Sequence, residues 1–319
     1  MTLLRRLTSS ISGAALGVAA SAVLLAGPTS ALAQAVAPAQ PVAPAAVPMA
    51  QGNGPALWVI KDADSTLYLF GTVHVLRPTT AWGSARVDAA FDSASEVYLE
   101  ITNPDDQAAV VPLIQQHGLS LDKPLSSRLT PEEMADLTAA AESMGASAAQ
   151  FEPLKPWLVA LTLSVAPLVK AGYDPKSGVE LILRARADAA GKPVKGLETI
   201  DEQIRILAGL SDETQLAFLR TTLESFENAT TELDGMVAAW ADGDVVKLKE
   251  LGIDDMREES EEVYQALLVR RNTNWAGQIQ TLLAGSGTTF IAVGAAHLAG
   301  DDSVQAILEQ RGVEVERVE

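Results

Sequence analysis

Tyr68-Leu-Phe-Gly71-Thr72-Val73-His74 and Ile291-Ala-Val-Gly294-Ala295-Ala296-His297 are the two stretches on which the fold turns. Each is an apolar run of strand composition, then a glycine, then a histidine three residues on. The chain has three histidines and 23 glycines in 319 residues. Two of three histidines sharing that offset is therefore about a 1 to 2% coincidence, so the pair is a signal where a single GxxH would not be. A strand carries the chain to the sheet edge, glycine permits a turn or close backbone packing, and histidine then projects into the crevice beyond the strand ends. On neighbouring strands, two such turns bring two imidazoles together, within reach of a shared Zn²⁺, Mn²⁺ or Fe²⁺ ion or of a proton in transit. The competing reading is a pair of buried structural histidines satisfied by the backbone. His117, in a helix-to-loop stretch before Gly118, lacks this context and reads as a surface residue.

Working outward, residues 56–61 and 66–70 are β-rich runs joined by Asp62-Ala-Asp64-Ser65, a hairpin that opens the domain. A helix is expected over 84–93 and a strand over 96–101, closed by Pro104. From 105 to 190 the pattern is helical: Thr130-Pro131-Glu132-Glu133 caps one helix, and the apolar 156–171 is too long for a strand and reads as a buried helix. A short strand over 191–198 follows, then helical patterning over 200–283, a strand at 288–293, a helix at 301–310 and a last strand at 313–318. Strands at both ends around a large helical middle predict an α/β (α+β mixed) domain with a central mixed β-sheet.

Two acids stand at strand ends. Glu100 closes Val97-Tyr-Leu-Glu100, and a carboxylate ending an apolar strand is costly to bury without a partner, which marks it as a ligand or general base. Glu198, in Gly196-Leu-Glu198-Thr199, has the same character, with a role in the first turn of the next helix as its plain alternative.

The amino terminus carries Arg5 and Arg6, an uncharged run to about Gly27 and Ala31-Leu32-Ala33: the layout of a secretory signal peptide over 1–33, cleaved before Gln34. An uncleaved anchor is the other reading; the Ala, Gly and Ser content makes the run weakly hydrophobic and argues against it. Residues 34–55, rich in Ala, Pro, Val and Gln, read as a disordered linker, and 56–319 as one domain. Periplasmic or secreted location is the expectation, with no stable membrane insertion after cleavage. Cysteine is absent, which excludes disulfides, thiolate metal sites and a cysteine nucleophile. Loss of the leader takes the net charge from −18 to −20, which opposes binding to nucleic acid or anionic lipid.

The GTVH and GAAH turns, the VYLE strand, GKPVKGLET followed by Gln203, RRNTNW and FIAVGAAHLAG together resemble the TraB/GumN family, related to the TIKI metalloproteases, over about 58–318. The resemblance implies a fold similar to the erythromycin-esterase/ChaN group, with the GxxH histidines and the strand glutamate forming the active site. It adds Glu180, where the family usually has Asp after Gly-Val, and the Arg271-Asn272 pair. It also implies a divalent metal ion, Mn²⁺ or Co²⁺ in TIKI members, held here by His74, His297 and Glu100.

The leading functional expectation is thus a metal-dependent hydrolase acting on a peptide or small-molecule substrate. In it Glu180 or Glu198 moves the proton and Arg271 stabilises developing negative charge. No HExxH motif is present, so a zincin mechanism is excluded. A heme-, metal- or polysaccharide-related binding protein without catalysis is the alternative from another class, and a degenerate structural member a third.

Overall fold

A computed structural model of the chain describes residues 47–103 and 106–319. The expected signal peptide, residues 34–46 of the linker and the strand stop at Pro104 lie outside the described residues.

Six strands form one mixed sheet in the order β4-β3-β5-β2-β1-β6. Strands β1 (Leu57–Lys61) and β2 (Ser65–Thr72) make the expected hairpin, paired Leu57 with Phe70 through Lys61 with Thr66. Its turn is closed by Asp62, whose carboxylate accepts the N–H groups of Asp64 and Ser65 at 3.1 and 2.7 Å. Strand β3 (Glu96–Leu99) and β4 (Val194–Gly196) are parallel to one another, and β5 (Gly287–Gly294) runs parallel between β3 and β2. The last strand is shorter than expected: β6 covers only Glu316–Arg317, because it meets β1 through two residue pairs at the sheet's edge.

The pairing of β2 with β5 decides the architecture. Ser65 faces Gly287 and the register continues without a bulge to Thr72 opposite Gly294. Both GxxH turns therefore leave the sheet side by side, at the carboxyl ends of adjacent parallel strands, where open α/β sheets form their ligand crevices.

Helices cover both faces. In chain order they are α1 (Ala85–Ser93), α2 (Gln107–His117), α3 (Pro131–Ser143), α4 (Pro156–Lys170), α5 (Val179–Ala189), α6 (Ile200–Ala208), α7 (Asp212–Ser225) and α8 (Ala229–Ala241). The short α9 (Val245–Leu248), α10 (Asp254–Glu259) and α11 (Glu261–Tyr264) follow, then α12 (Arg270–Leu283) and α13 (Val304–Gln310). The helical stretch read over 200–283 is thus a series of helices, with π-helical turns at Lys249–Ile253 and Gln265–Val269. Helix α4 is buried continuously from Pro156 to Val165, as its unbroken apolar run demands, and packs on α7 and α8. Thr130 and Glu133 form the reciprocal cap of α3. One sheet face carries the larger core, in which Phe70, Phe91, Phe290, Trp82 and Trp240 meet ring against ring. The other buries Trp58, Leu69, Ile291 and Val293 beneath Trp275 and Ile279 of α12 and Leu308 of α13.

Residues 47–55 correct the linker expectation, which covered 34–55. Gly83 N–H donates to Pro48 O and Ala50 N–H to Gly83 O, each at 2.9 Å, and Arg86 donates to the carbonyls of Asn53, Gly54 and Pro55. Composition misled here because docking is made through the backbone. It depends on Gly83, where a Cβ would lie 3.0 Å from Met49 Sδ and 3.1 Å from Pro48 O.

Candidate functional site

Beyond the carboxyl ends of β2, β3 and β5, the seven residues singled out from sequence and resemblance, His74, Glu100, Glu180, Glu198, Arg271, Asn272 and His297, come into one largely buried network. His74, Glu100, Arg271 and His297 are 9%, 3%, 6% and 0% exposed, so their charges must be satisfied within the protein. Glu100 is the first residue past β3. The chain after β4 stays beside it, with Leu197 N–H on Leu99 O and Glu198 N–H on Glu100 O, both at 2.9 Å, which sets the two carboxylates next to one another.

Arg271, in the first turn of α12, neutralises both. Its Nη2 donates to Glu100 Oε2 at 2.7 Å and to Glu198 Oε1, and its Nε donates to Glu198 at 3.1 Å. Its Nη1 donates to the carbonyl of Leu267, inside the π-helical turn, and to His297 Nε2 at 3.0 Å. Gln203 bridges the same two acids, 3.0 Å from Glu100 Oε2 and 2.8 Å from Glu198 Oε1. Glu100 Oε1, turned the other way, accepts the N–H of Gly294 at 2.7 Å.

The protonation of His297 follows from its neighbours. Asn272 Nδ2 donates to Asp302 O at 2.8 Å, so Asn272 Oδ1 faces the imidazole and accepts from His297 Nδ1 at 2.5 Å. Guanidinium has only donors, so Nε2 is the acceptor and the ring is the neutral Nδ1–H tautomer. Burial and the nearby Arg271 charge push its pKa well below the ordinary histidine value, in the same sense.

His74 is the opposite case. Its Nδ1 lies 2.7 Å from Glu180 Oε1, and the Thr72 hydroxyl donates to the same carboxylate oxygen. Burial opposes charge on this imidazole, but Glu180 and then Glu100 outweigh it and raise its pKa to about 9. Glu180 sits in the first turn of α5, and Gly178 just before it lets that turn close on the histidine: a Cβ there would be 2.4 Å from His74 O, while Val179 N–H donates to Val73 O at 3.0 Å. The carboxylates are likewise driven apart. Burial would raise Glu100, but the charges of Arg271 and His74 and the Gly294 N–H bring it to about 2. Burial and the charge of Glu100 raise Glu198, against the pull of Arg271. Paired groups with opposed shifts are the usual signature of divided acid and base roles.

One polar atom in this network is left over. His74 Nε2 is buried and has no hydrogen-bond partner. It faces the bare α-carbon of Gly294: the point a Cβ would occupy is 3.1 Å from Glu100 Oε1 and 3.5 Å from His74 Nε2. The glycine of the second GxxH turn thus lets a carboxylate oxygen and an unused imidazole nitrogen come close on the side where a side chain would begin.

The expected metal ligands His74, His297 and Glu100 do come together, but they do not fit a shared ion as placed. Both ring nitrogens of His297 are engaged, leaving only His74 Nε2 and Glu100 Oε1 beside Gly294. Among the described residues no group of three or more His, Asp or Glu side chains forms a ligand set. The physical reason is Arg271, whose guanidinium takes the electrostatic place that a cation between two carboxylates would hold. His117 also departs from expectation: it is half-buried at the end of α2, its Nε2 4.0 Å from Asp201, and outside this network. Sequence reading gave no role to Thr72, Gln203 or Trp275, though each lies in or beside a motif of the resemblance, and did not select Asp302. Thr72 lies inside the GTVH motif, but an aligning hydroxyl carries no signal of its own. Trp275 packs its ring against His297, centroids 4.4 Å apart.

Glu198 forms part of the wall of two larger cavities, each lined by a mixture of polar and apolar groups. One, of about 450 Å³, is shared with Arg205, Arg270, Arg271 and Asn274. The other, of about 400 Å³, lies along Thr102, Asn103, Leu197 and Thr199.

These features define a class: a mixed α/β protein with a buried, arginine-centred acid/base network at the carboxyl ends of parallel strands. The chain belongs to the TraB/PrgY/gumN family, whose match covers residues 56–317. It is similar to an uncharacterized protein of Treponema pallidum, 22% identical over 267 residues and 80% of each chain. It is also similar to the uncharacterized protein YbaP of Escherichia coli, 24% identical over 256 residues, 80% of this chain and 92% of the relative. No solved structure matches the chain.

Proposed function

We propose that this chain is an exported hydrolase that holds its attacking water beside Gly294, between Glu100 and His74, and cleaves an amide or related acyl bond. The observation that carries the reading is the unpartnered His74 Nε2 facing Glu100 Oε1 across a glycine. A buried donor without an acceptor costs about 1–3 kcal/mol, a cost that a water or substrate atom at that point would remove.

In this reading Glu100 is ionised before attack and orients the water by accepting one of its hydrogens. His74, charged and backed by Glu180, turns Nε2–H toward the oxygen on which negative charge grows. As the water oxygen bonds to the acyl carbon its proton passes to Glu100 and from there to the leaving nitrogen or oxygen as the scissile bond breaks; Glu198, bonded to the same Arg271 and Gln203, holds Glu100 in position. Arg271 keeps two adjacent carboxylates compatible, and Asn272 locks His297 in the tautomer that accepts from Arg271. No step is assigned to a metal, since the expected ligand set lacks a third free lone pair.

The mature protein should cleave members of a peptide and acyl-ester library in the presence of chelator. His74→Ala, Glu100→Gln and Glu198→Gln should each lower kcat/KM by about 10²-fold or more, and His117→Ala should not. Loss of activity on chelation with recovery on adding Mn²⁺ or Co²⁺ would restore the metal reading. Stoichiometric ligand binding without turnover would favour a binding protein. Export rests on the leader: periplasmic material should have the mass of a chain beginning at Gln34, and the full-length mass would favour an anchor. Among the described residues no helix is long and apolar enough to cross a membrane.

A further inference from the structure

A separate cavity opens directly beside the two GxxH turns, and its chemistry differs from that of the two larger cavities at Glu198. Its floor is the turns themselves, at 72–73 and 295–296, and its walls include Met236, Val237, Ile253 and Met256. No charged side chain lines it. Its two polar side chains are already committed: Trp240 Nε1–H donates to Gly71 O at 2.8 Å, and the Thr72 hydroxyl donates to Glu180. An occupant finds no free side-chain hydrogen-bonding group there, so polar atoms entering it would lose their water without replacement. The cavity measures about 50 Å³. At 10–15 Å³ for each water-sized sphere, that is room for about four, the bulk of a three- or four-carbon branched group.

From this shape, composition and position we infer that the cavity is a specificity pocket for a compact branched aliphatic side chain of the substrate, such as that of a valyl or leucyl residue, next to the bond cleaved. The inference rests on the hydrolase reading for the word substrate, while the pocket's ligand preference stands without it. The π-helical turn Lys249–Ile253 places Gly252 and Ile253 on the pocket wall; such turns frequently mark functional sites. Met236, half-buried on α8, provides an adaptable wall that can be refilled or cut back without touching the charged network.

The experiment compares N-acetyl-leucinamide, N-acetyl-glycinamide and N-acetyl-phenylalaninamide, in binding by NMR titration and in hydrolysis. The proteins are the wild type, Met236→Trp, Met236→Ala and Glu100→Gln. The leucyl probe should be preferred over the glycyl probe by about 10- to 100-fold. Met236→Trp should abolish that preference, Met236→Ala should admit the phenylalanyl probe, and Glu100→Gln should keep the binding preference while losing hydrolysis. If the tryptophan variant does not fold, the relaxed selectivity of Met236→Ala decides. A leucyl preference in binding without hydrolysis by the wild type would uphold the pocket and sink the hydrolase. Hydrolysis with no aliphatic preference, unchanged by either Met236 variant, would overturn the pocket and leave the hydrolase standing. Neither binding nor hydrolysis would overturn both.

Discussion

Gly294 is the residue whose missing side chain the proposed chemistry uses. Its backbone, at φ −49° and ψ 135°, is open to any L-residue, so alanine there tests space alone and not backbone strain. The added methyl carbon would sit 3.1 Å from Glu100 Oε1 and 3.5 Å from His74 Nε2, where the proposed water lies. Gly294→Ala should therefore fold with a loss of stability of about 1 kcal/mol and reduce turnover by about 10²-fold or more. Circular-dichroism melts with steady-state kinetics would check both halves, and a fully active variant would remove the water from this position. At the same scale Arg271 has the opposite logic, since what matters is its charge. Arg271→Ala would leave Glu100 and Glu198 facing one another without a counter-ion, at a cost of about 3–5 kcal/mol, the size observed when one partner of a buried pair is removed. Both residues stand in motifs noted from sequence. The close approach at Gly294 and the shared cation were not legible there, because such contacts are properties of neighbours that arrive from other parts of the chain.

At the scale of elements, the segment over 47–55 and the turn at 83–86 act as a clasp. The backbone of 48–50 pairs with Gly83, and the guanidinium of Arg86 gathers three carbonyls of 53–55. A Cβ at position 83 would crowd Met49 and the carbonyls of Val47 and Pro48, at 3.0 to 3.2 Å, and a branched side chain more so. Gly83→Val should release 47–50 while the sheet stays intact, which limited proteolysis would show as faster cleavage before Trp58 at an almost unchanged Tm. Equal protection in both proteins would mean that the Arg86 contacts hold the segment alone. The elements themselves were largely readable from local patterning: the hairpin, the capped α3, the all-round apolar α4 and the strand before each histidine. The breaks in the 200–283 stretch were not, because the π-helical turns there lie within continuous helical patterning and one of them presents the Leu267 carbonyl to Arg271.

For the whole molecule, the opposed titrations give stability a pH optimum. His74 is raised in the folded protein from 6.5 to about 9, so its contribution is complete below pH 6.5 and is lost as pH rises through about 9. That limb amounts to about 3 kcal/mol, at 1.36 kcal/mol per unit of difference. His297 is shifted the other way, so its contribution is complete above 6.5 and declines as pH falls below it. Glu100 and Glu180, lowered on folding, add theirs above pH 4.5 and lose it as pH drops toward about 2 for Glu100; the raised Glu198 opposes this acid limb in part. Urea unfolding should therefore show greatest stability near pH 6.5, with a decline toward pH 9 that His74→Gln flattens. An unchanged alkaline limb in that variant would show that His74 is not charged in the folded state.

What the sequence by itself determined was local and periodic. Alternating and continuous apolar runs marked strands and buried helix, glycine three residues before each histidine marked two matching turns, and the mixed α/β class followed from the order of these pieces. The separated motifs together were enough to indicate the family. The tertiary structure alone decided that β2 and β5, more than 200 residues apart, lie parallel and in register from Ser65 and Gly287 to Thr72 and Gly294. It also decided that one arginine meets carboxylates 171 and 73 residues away. Those meetings shift the two histidines in opposite senses, His74 toward charge and His297 away from it. Protonation and coordination depend on distances of 3 to 4 Å between side chains, and such distances are set by packing across the whole domain, a quantity no local pattern encodes.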